Sequence, residues 1–125
     1  MIRLAVEARE HSYAPYSNYK VGAALVTASG KFFSGCNVES AAYPTSMCAE
    51  RVAIFKAVSE GEREFVALAV VTGNGGTPCG ACRQVMAEFG LDTLVLIADV
   101  EGNLKQEAKV SDLLPGAFGP RDLGK

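Results

Sequence analysis

The 125-residue sequence contains no apolar run that approaches the ~20 residues needed to span a bilayer. Its opening stretch, Met1-Ile2-Arg3-Leu4-Ala5-Val6-Glu7, carries a charge every few residues and lacks an apolar h-region, so it does not read as a secretory signal. Positive charge is not in excess. The 12 Lys and Arg are outnumbered by 14 Asp and Glu, leaving a net charge of −2. The sequence pI is about 5.4. Such a balance gives no global electrostatic pull on nucleic acid polymers or anionic membranes. The glycine-rich stretch Gly73-Asn74-Gly75-Gly76-Thr77-Pro78 lacks the G-x-x-x-x-G-K-[ST] pattern and runs into Pro-Cys, which excludes a phosphate cradle of that type. There is no internal repeat, low-complexity segment or interdomain linker. These absences favour one cytoplasmic domain over residues 1–125 and a small, roughly neutral partner, with no membrane and no nucleic acid polymer.

Cysteine is also scarce, with four in the chain. In a reducing compartment they are expected as thiols, and a cysteine cluster there points to metal binding or catalysis before a disulfide. Hydrophobic residues make up 49% of the chain, enough for a packed core without staples.

Pattern and turn chemistry predict the elements. A helix is expected over 1–12, with Leu4, Ala5, Ala8 and His11 as its apolar stripe. A buried strand over 21–27 turns through Ala28-Ser29-Gly30-Lys31 into a second over 32–36. Residues 37–46 read as irregular, followed by a helix over 47–60 with Gly61 as its cap. The apolar run 65–72 suits a strand covered on both faces. A helix over 80–89, a strand over 94–98 and a short strand over 104–107 follow. Residues 111–114 form a helical turn before a Gly/Pro-rich tail. The alternation predicts one mixed sheet with helices on its faces.

Two of these helices begin with cysteine. Cys79 and Cys82 are three residues apart, which puts both sulfurs on one side of a first turn, able to share a metal. Cys48 opens the other helix. If both N-termini face one site, their dipoles favour thiolates. Three protein ligands leave the fourth tetrahedral position open, as in a catalytic zinc site. Glu50 lies two residues beyond Cys48, beside the metal without binding it, where a carboxylate can carry protons. Three thiolates and one Zn²⁺ make a centre of net −1, and Arg51 is a candidate to withdraw charge from the sulfurs. A helix-surface ion pair accounts for Arg51 equally well. Two other readings of the cysteines stay open. One is a redox Cys79-Gly80-Ala81-Cys82 pair, which leaves Cys48 and Glu50 unexplained. The other is a non-catalytic zinc site with Cys36 as fourth ligand.

Cys48-Ala49-Glu50, a gap, then Pro78-Cys79-Gly80-Ala81-Cys82 resembles the small cytidine deaminases with a three-cysteine zinc site. The resemblance extends to Tyr13-Ala14-Pro15-Tyr16-Ser17, Val21 to Leu25, Gly35 to Ala41, and Leu113-Leu114-Pro115 with Phe118-Gly119-Pro120. It implies a three-layer α/β/α sandwich with one mixed, mostly five-stranded sheet. It further implies zinc, one per chain, on Cys48, Cys79 and Cys82, with Glu50 as proton shuttle. Asn37 and Glu39 match residues that bind the ribose, and the backbone at Ala49 matches a contact to the pyrimidine. Tyr19 stands where the family commonly has Phe beside the base. Phe118 matches an aromatic that reaches a neighbouring subunit's site in a homotetramer. The activity implied is hydrolytic deamination of cytidine and deoxycytidine in pyrimidine salvage. The alternative of the same chemistry is another aminopyrimidine nucleoside, such as a nucleoside antibiotic. The departure is at Tyr43-Pro44-Thr45-Ser46-Met47, where a proline enters the loop before the metal helix.

Overall fold

A computed structural model describes residues 1–124. Its helices and strands follow the chain as α1 (Ile2–Arg9), β1 (Val21–Thr27), β2 (Phe32–Cys36), α2 (Ala49–Ser59), β3 (Phe65–Thr72), α3 (Gly80–Phe89), β4 (Leu94–Ala98), β5 (Leu104–Lys109) and α4 (Val110–Leu113). Short 3-10 turns occupy Tyr43–Thr45 and Pro120–Leu123. The strands make one five-stranded sheet in the order β2-β1-β3-β4-β5. β3 and β4 are parallel, joined through α3, and the other pairs are antiparallel. The sheet is therefore mixed, as expected.

Period-two alternation divides the apolar strand residues between two layers. Ala23, Leu25, Leu68, Val70, Val95 and Ile97 face α2 and α3, where Ala49, Ala53, Ile54, Ala57, Cys82 and Met86 meet them. Their neighbours Ala24, Ala69, Val71 and Ala98 face the other way and pack with Ala5 of α1. This is why 65–72 reads as a continuous apolar run: each face of β3 is covered. β5 carries Lys105, Glu107 and Lys109 along an exposed edge, the charged pattern that discourages further strand pairing.

Two glycines set how closely helices approach the sheet. A Cβ on Gly22 would lie 2.0 Å from the Ala5 carbonyl oxygen of α1. One on Gly35 would lie 2.8 Å from both the Ala49 carbonyl oxygen and the Ala53 nitrogen of α2. α2 thus rests backbone-close on β2, and the residues around Ala49 are held in place by it.

One-residue shifts aside, such as α4 over Val110–Leu113 where 111–114 was expected, three boundaries differ from expectation. α1 stops at Arg9 rather than residue 12, because the amides of Glu10, His11 and Ser12 turn back three residues to Glu7, Ala8 and Arg9. His11 is exposed and takes no part in the apolar stripe. α2 starts at Ala49, since Met47 pairs in an isolated bridge with Val38 and Cys48 is an extended N-cap. β5 runs two residues beyond 107, to Lys109. Among the described residues no helix is long and apolar enough to cross a membrane.

Candidate active site and metal centre

Cys48 and Cys79 are the N-cap residues of α2 and α3, both in extended conformation with ψ of 151° and 167°. Neither helix has a side-chain hydrogen bond capping its N-terminus. The Sγ atoms of Cys48 and Cys79 are 3.9 Å apart, and those of Cys79 and Cys82 are 3.5 Å apart. All three sulfurs lie within 4.8 Å of one another. Sulfurs tetrahedrally bound to zinc at ~2.3 Å stand about 3.8 Å apart, so this donor set fits one zinc ion with little adjustment. Cys36 lies outside the cluster.

The electrostatics fit a cation as well. The Arg51 guanidinium donates to Cys48 Sγ at 3.4 Å, and its buried Nε has no partner among the described residues. Hydrogen bonding from Cys82 and then from Arg51 holds the Cys48 thiol down at about 5. Cys82 is pushed up from the ordinary thiol value, first by its hydrogen bond to Cys48 and then by burial. A divalent ion displaces such shared protons, since the metal ligand is the thiolate. The cluster is thus electron-rich, with one cation already leaning on it.

Glu50, in the first turn of α2, is only 4% exposed. Burial raises its carboxyl above the usual range, and the neighbouring Cys48 charge adds to the shift. It lines a cavity of about 300 Å³ together with Cys48, Ala49, Cys79, Asn37 and Glu39.

The far end of that cavity is polar. Asn37 is buried, and its Oδ1 accepts from the Val21 amide at 3.0 Å and from the Ser12 hydroxyl. Its Nδ2 donates to the Tyr19 carbonyl at 2.8 Å. Both oxygen lone pairs are engaged, which leaves one amide N–H for a ligand. Glu39 Oε1 accepts from the amides of Tyr16 and Ser17 at 3.0 and 3.1 Å, and Oε2 accepts from the Ser17 hydroxyl. A carboxylate has about four acceptor positions, so one remains on Oε2 for an incoming hydroxyl.

The comparisons with known proteins agree with this geometry. Residues 1–98 match the family model described as the cytidine and deoxycytidylate deaminase zinc-binding region. The chain belongs to the cytidine and deoxycytidylate deaminase family. It is 51% identical over 126 residues to the cytidine deaminase of Halalkalibacterium halodurans, covering 98% of this chain and 95% of that protein. It is 40% identical over 121 residues to that of Mycobacterium tuberculosis, covering 95% and 87%. The solved cytidine deaminase of Burkholderia pseudomallei superposes with a TM-score of 0.88 at 52% identity, covering 94% of this chain and 95% of that one.

Within the deaminase fold, nine of the ten residues singled out from sequence gather around one cavity. Cys48, Cys79, Glu50, Ala49, Asn37, Glu39 and Tyr19 line it, and Cys82 and Arg51 adjoin them through the sulfur cluster. Phe118 does not join them. It is 59% exposed, beside a separate hollow formed with Ala87, Leu91, Ala117 and Pro120. Its carbonyl accepts from Gln84 Nε2 at 2.7 Å, which ties the C-terminal segment to α3. Sequence reasoning missed Ser17, Thr72, Gly76 and Thr77, which also line the cavity, and Arg83. Arg83 donates to the carbonyls of Pro78 and Leu113, each at 2.8 Å, and to Thr77 Oγ1 at 3.0 Å. Its position next to Cys82 was the only available signal.

Proposed function

We propose that the protein is a zinc-dependent hydrolase that deaminates cytidine and deoxycytidine to uridine and deoxyuridine, releasing ammonia, as a single cytoplasmic domain in pyrimidine salvage. One observation carries the reading: three convergent sulfurs, two of them lining the cavity, and a buried carboxyl stand together with an amide N–H and a carboxylate suited to a sugar. Cys48, Cys79 and Cys82 hold the zinc, which when bound supplies a Lewis acid and an acidified water at the cavity floor.

The chain's own groups do the rest. Glu50 takes a proton from the attacking water and gives it to the ring N3. It then carries the remaining proton to the 4-amino group, which leaves as ammonia while the water oxygen stays on C4. A carboxyl whose proton is held more tightly by burial suits a carrier that must both take and give near neutral pH. Arg51 draws charge from the Cys48 sulfur. The backbone at Ala49 borders the pyrimidine, with Tyr19 beside the base. Asn37 and Glu39 meet the sugar hydroxyls, Glu39 as acceptor. Phe118 serves a neighbouring subunit in a homotetramer, in keeping with its exposure and its distance from its own cavity.

Metal analysis and ammonia release over a panel of aminopyrimidine nucleosides test this. The expected result is one zinc per chain, with ammonia from cytidine and deoxycytidine. Glu50→Gln keeps its zinc and loses roughly 10²–10⁴-fold in turnover. Zinc without ammonia from any nucleoside would indicate a non-catalytic site, and near-normal turnover in the variant would remove Glu50 from the proton path.

A further inference from the structure

We propose that the Tyr19 hydroxyl and Asn74 form a clasp that fixes the glycine-rich loop at the cavity rim, so that Tyr19 supports nucleoside binding through that loop and not through contact of its hydroxyl with substrate. The hydroxyl donates to Asn74 Oδ1 at 2.8 Å, across 55 residues of sequence. The same Oδ1 accepts from Thr72 Oγ1 at 3.2 Å and from the Gly76 amide at 3.0 Å. The Gly76 amide also donates to Thr72 Oγ1 at 2.8 Å. One side-chain oxygen therefore gathers donors from the end of β3, from the loop and from the opposite wall. Tyr19, Thr72, Gly76 and Thr77 line the cavity, whereas Asn74 does not.

The post to which the loop is tied is rigid. Asn18 occupies the left-handed region at φ 58°, and its amide donates to the Ala14 carbonyl at 2.9 Å. The Tyr19 amide donates to Ser17 Oγ at 3.0 Å, and its carbonyl accepts from Asn37 Nδ2 at 2.8 Å. The Arg9 Nε donates to the next carbonyl, Lys20, at 3.1 Å. The loop is held at its ends by the bonds among Thr72, Asn74 and Gly76 and by Arg83 on Thr77, and its glycines add little stiffness. It contains Gly73, Gly75 and Gly76, with Gly75 at φ 68°, and glycine is the residue that loses most freedom when ordered. A Cβ on Gly76 would lie 2.8 Å from the Tyr19 hydroxyl, so loop and ring are in direct apposition. A phenylalanine at position 19 keeps the ring and loses the clasp.

The kinetic part of the test rests on the deamination reading above, while the exchange part does not. Zinc-loaded wild type, Tyr19→Phe, Asn74→Ala and the double variant are compared by cytidine kinetics, zinc content and amide hydrogen exchange over residues 73–77. Loss of one neutral hydrogen bond predicts about a two- to tenfold rise in KM for Tyr19→Phe, with kcat held within about twofold. Exchange of the Gly76 amide accelerates by a similar factor, and zinc stays at one per chain. Asn74→Ala does at least as much, and adding Tyr19→Phe to it does nothing further. The clasp is overturned if Tyr19→Phe leaves Gly76 exchange unchanged, or if kcat falls while KM stays constant. It is equally overturned if Tyr19→Phe raises KM and Asn74→Ala does not, because the hydroxyl then acts on substrate directly. A wild type inactive on cytidine counts against the deaminase reading, and the exchange data still decide the clasp.

Discussion

Glu39 is tuned by its neighbours before any substrate arrives. The Ser17 hydroxyl, followed by the Ser17 and Tyr16 amides, holds its carboxyl below the ordinary value of 4.5. A carboxylate so depressed is ionised through the whole range above the unperturbed value and loses its charge only as pH falls through the lower one. If Glu39 accepts from the sugar, KM for cytidine stays level from pH 7 down to about pH 5 and rises only below the ordinary carboxylate range. A KM that already climbs between about pH 6 and pH 5 would take Glu39 out of substrate binding. At this scale the sequence was highly informative about chemistry and poor about partners. Cys48, Glu50, Cys79 and Cys82 announce themselves by type and spacing. Nothing local connects Ser17 with Glu39, 22 residues away, or Tyr19 with Asn74. Those contacts exist only once β1, β2 and β3 are in register.

The elements were legible wherever the pattern was uninterrupted. β3, α3 and β4 fall where apolar runs and flanking glycines put them. The start of α2 was not legible, because Met47 and Cys48 favour no stop and the boundary is set by a bridge to Val38. Nor does the sequence reveal that Gly35 is the seat of α2. Alanine there forces a Cβ against two backbone atoms at 2.8 Å, and backbone cannot rotate away. Gly35→Ala is expected to cost about 1–3 kcal/mol, the usual penalty for overpacking. By displacing the helix that Cys48 caps, it should also weaken zinc retention. Thermal melting and competition with a chelator measure the two effects, and an unchanged melting temperature would mean that α2 shifts freely on β2.

The molecule as a whole exposes more aromatic surface than its core needs. Tyr13, Tyr16, Tyr43, Phe32, Phe55 and Phe118 are each more than 40% exposed. Scattered apolar residues are ordinary, but contiguous patches mark contact with other chains. Tyr16 and Tyr43 stack edge-to-face with ring centroids 5.8 Å apart, beside Glu39. The homotetramer proposed above would account for this surface and for Phe118. Native mass measurement should give a four-chain species, and Phe118→Ala should raise KM while each chain keeps its zinc. A fully active monomer would remove both the tetramer and the trans role of Phe118. The sequence reached this scale only through family resemblance, since composition and periodicity do not say which exposed ring meets which neighbour.

The two helix caps carry one more consequence. Cys48 and Cys79 occupy positions that serine, threonine or aspartate usually fill, and neither helix has a side-chain hydrogen bond capping it. Ligand binding that favours only the native chain adds RT ln(1 + [L]/Kd) to its stability, about 2.7 kcal/mol at a hundredfold excess over Kd. Free zinc is thus a thermodynamic variable of the fold itself. The ion that equips the cavity also joins the ends of two helices, so conditions that strip the metal should shorten the lifetime of the native chain as well as silence it.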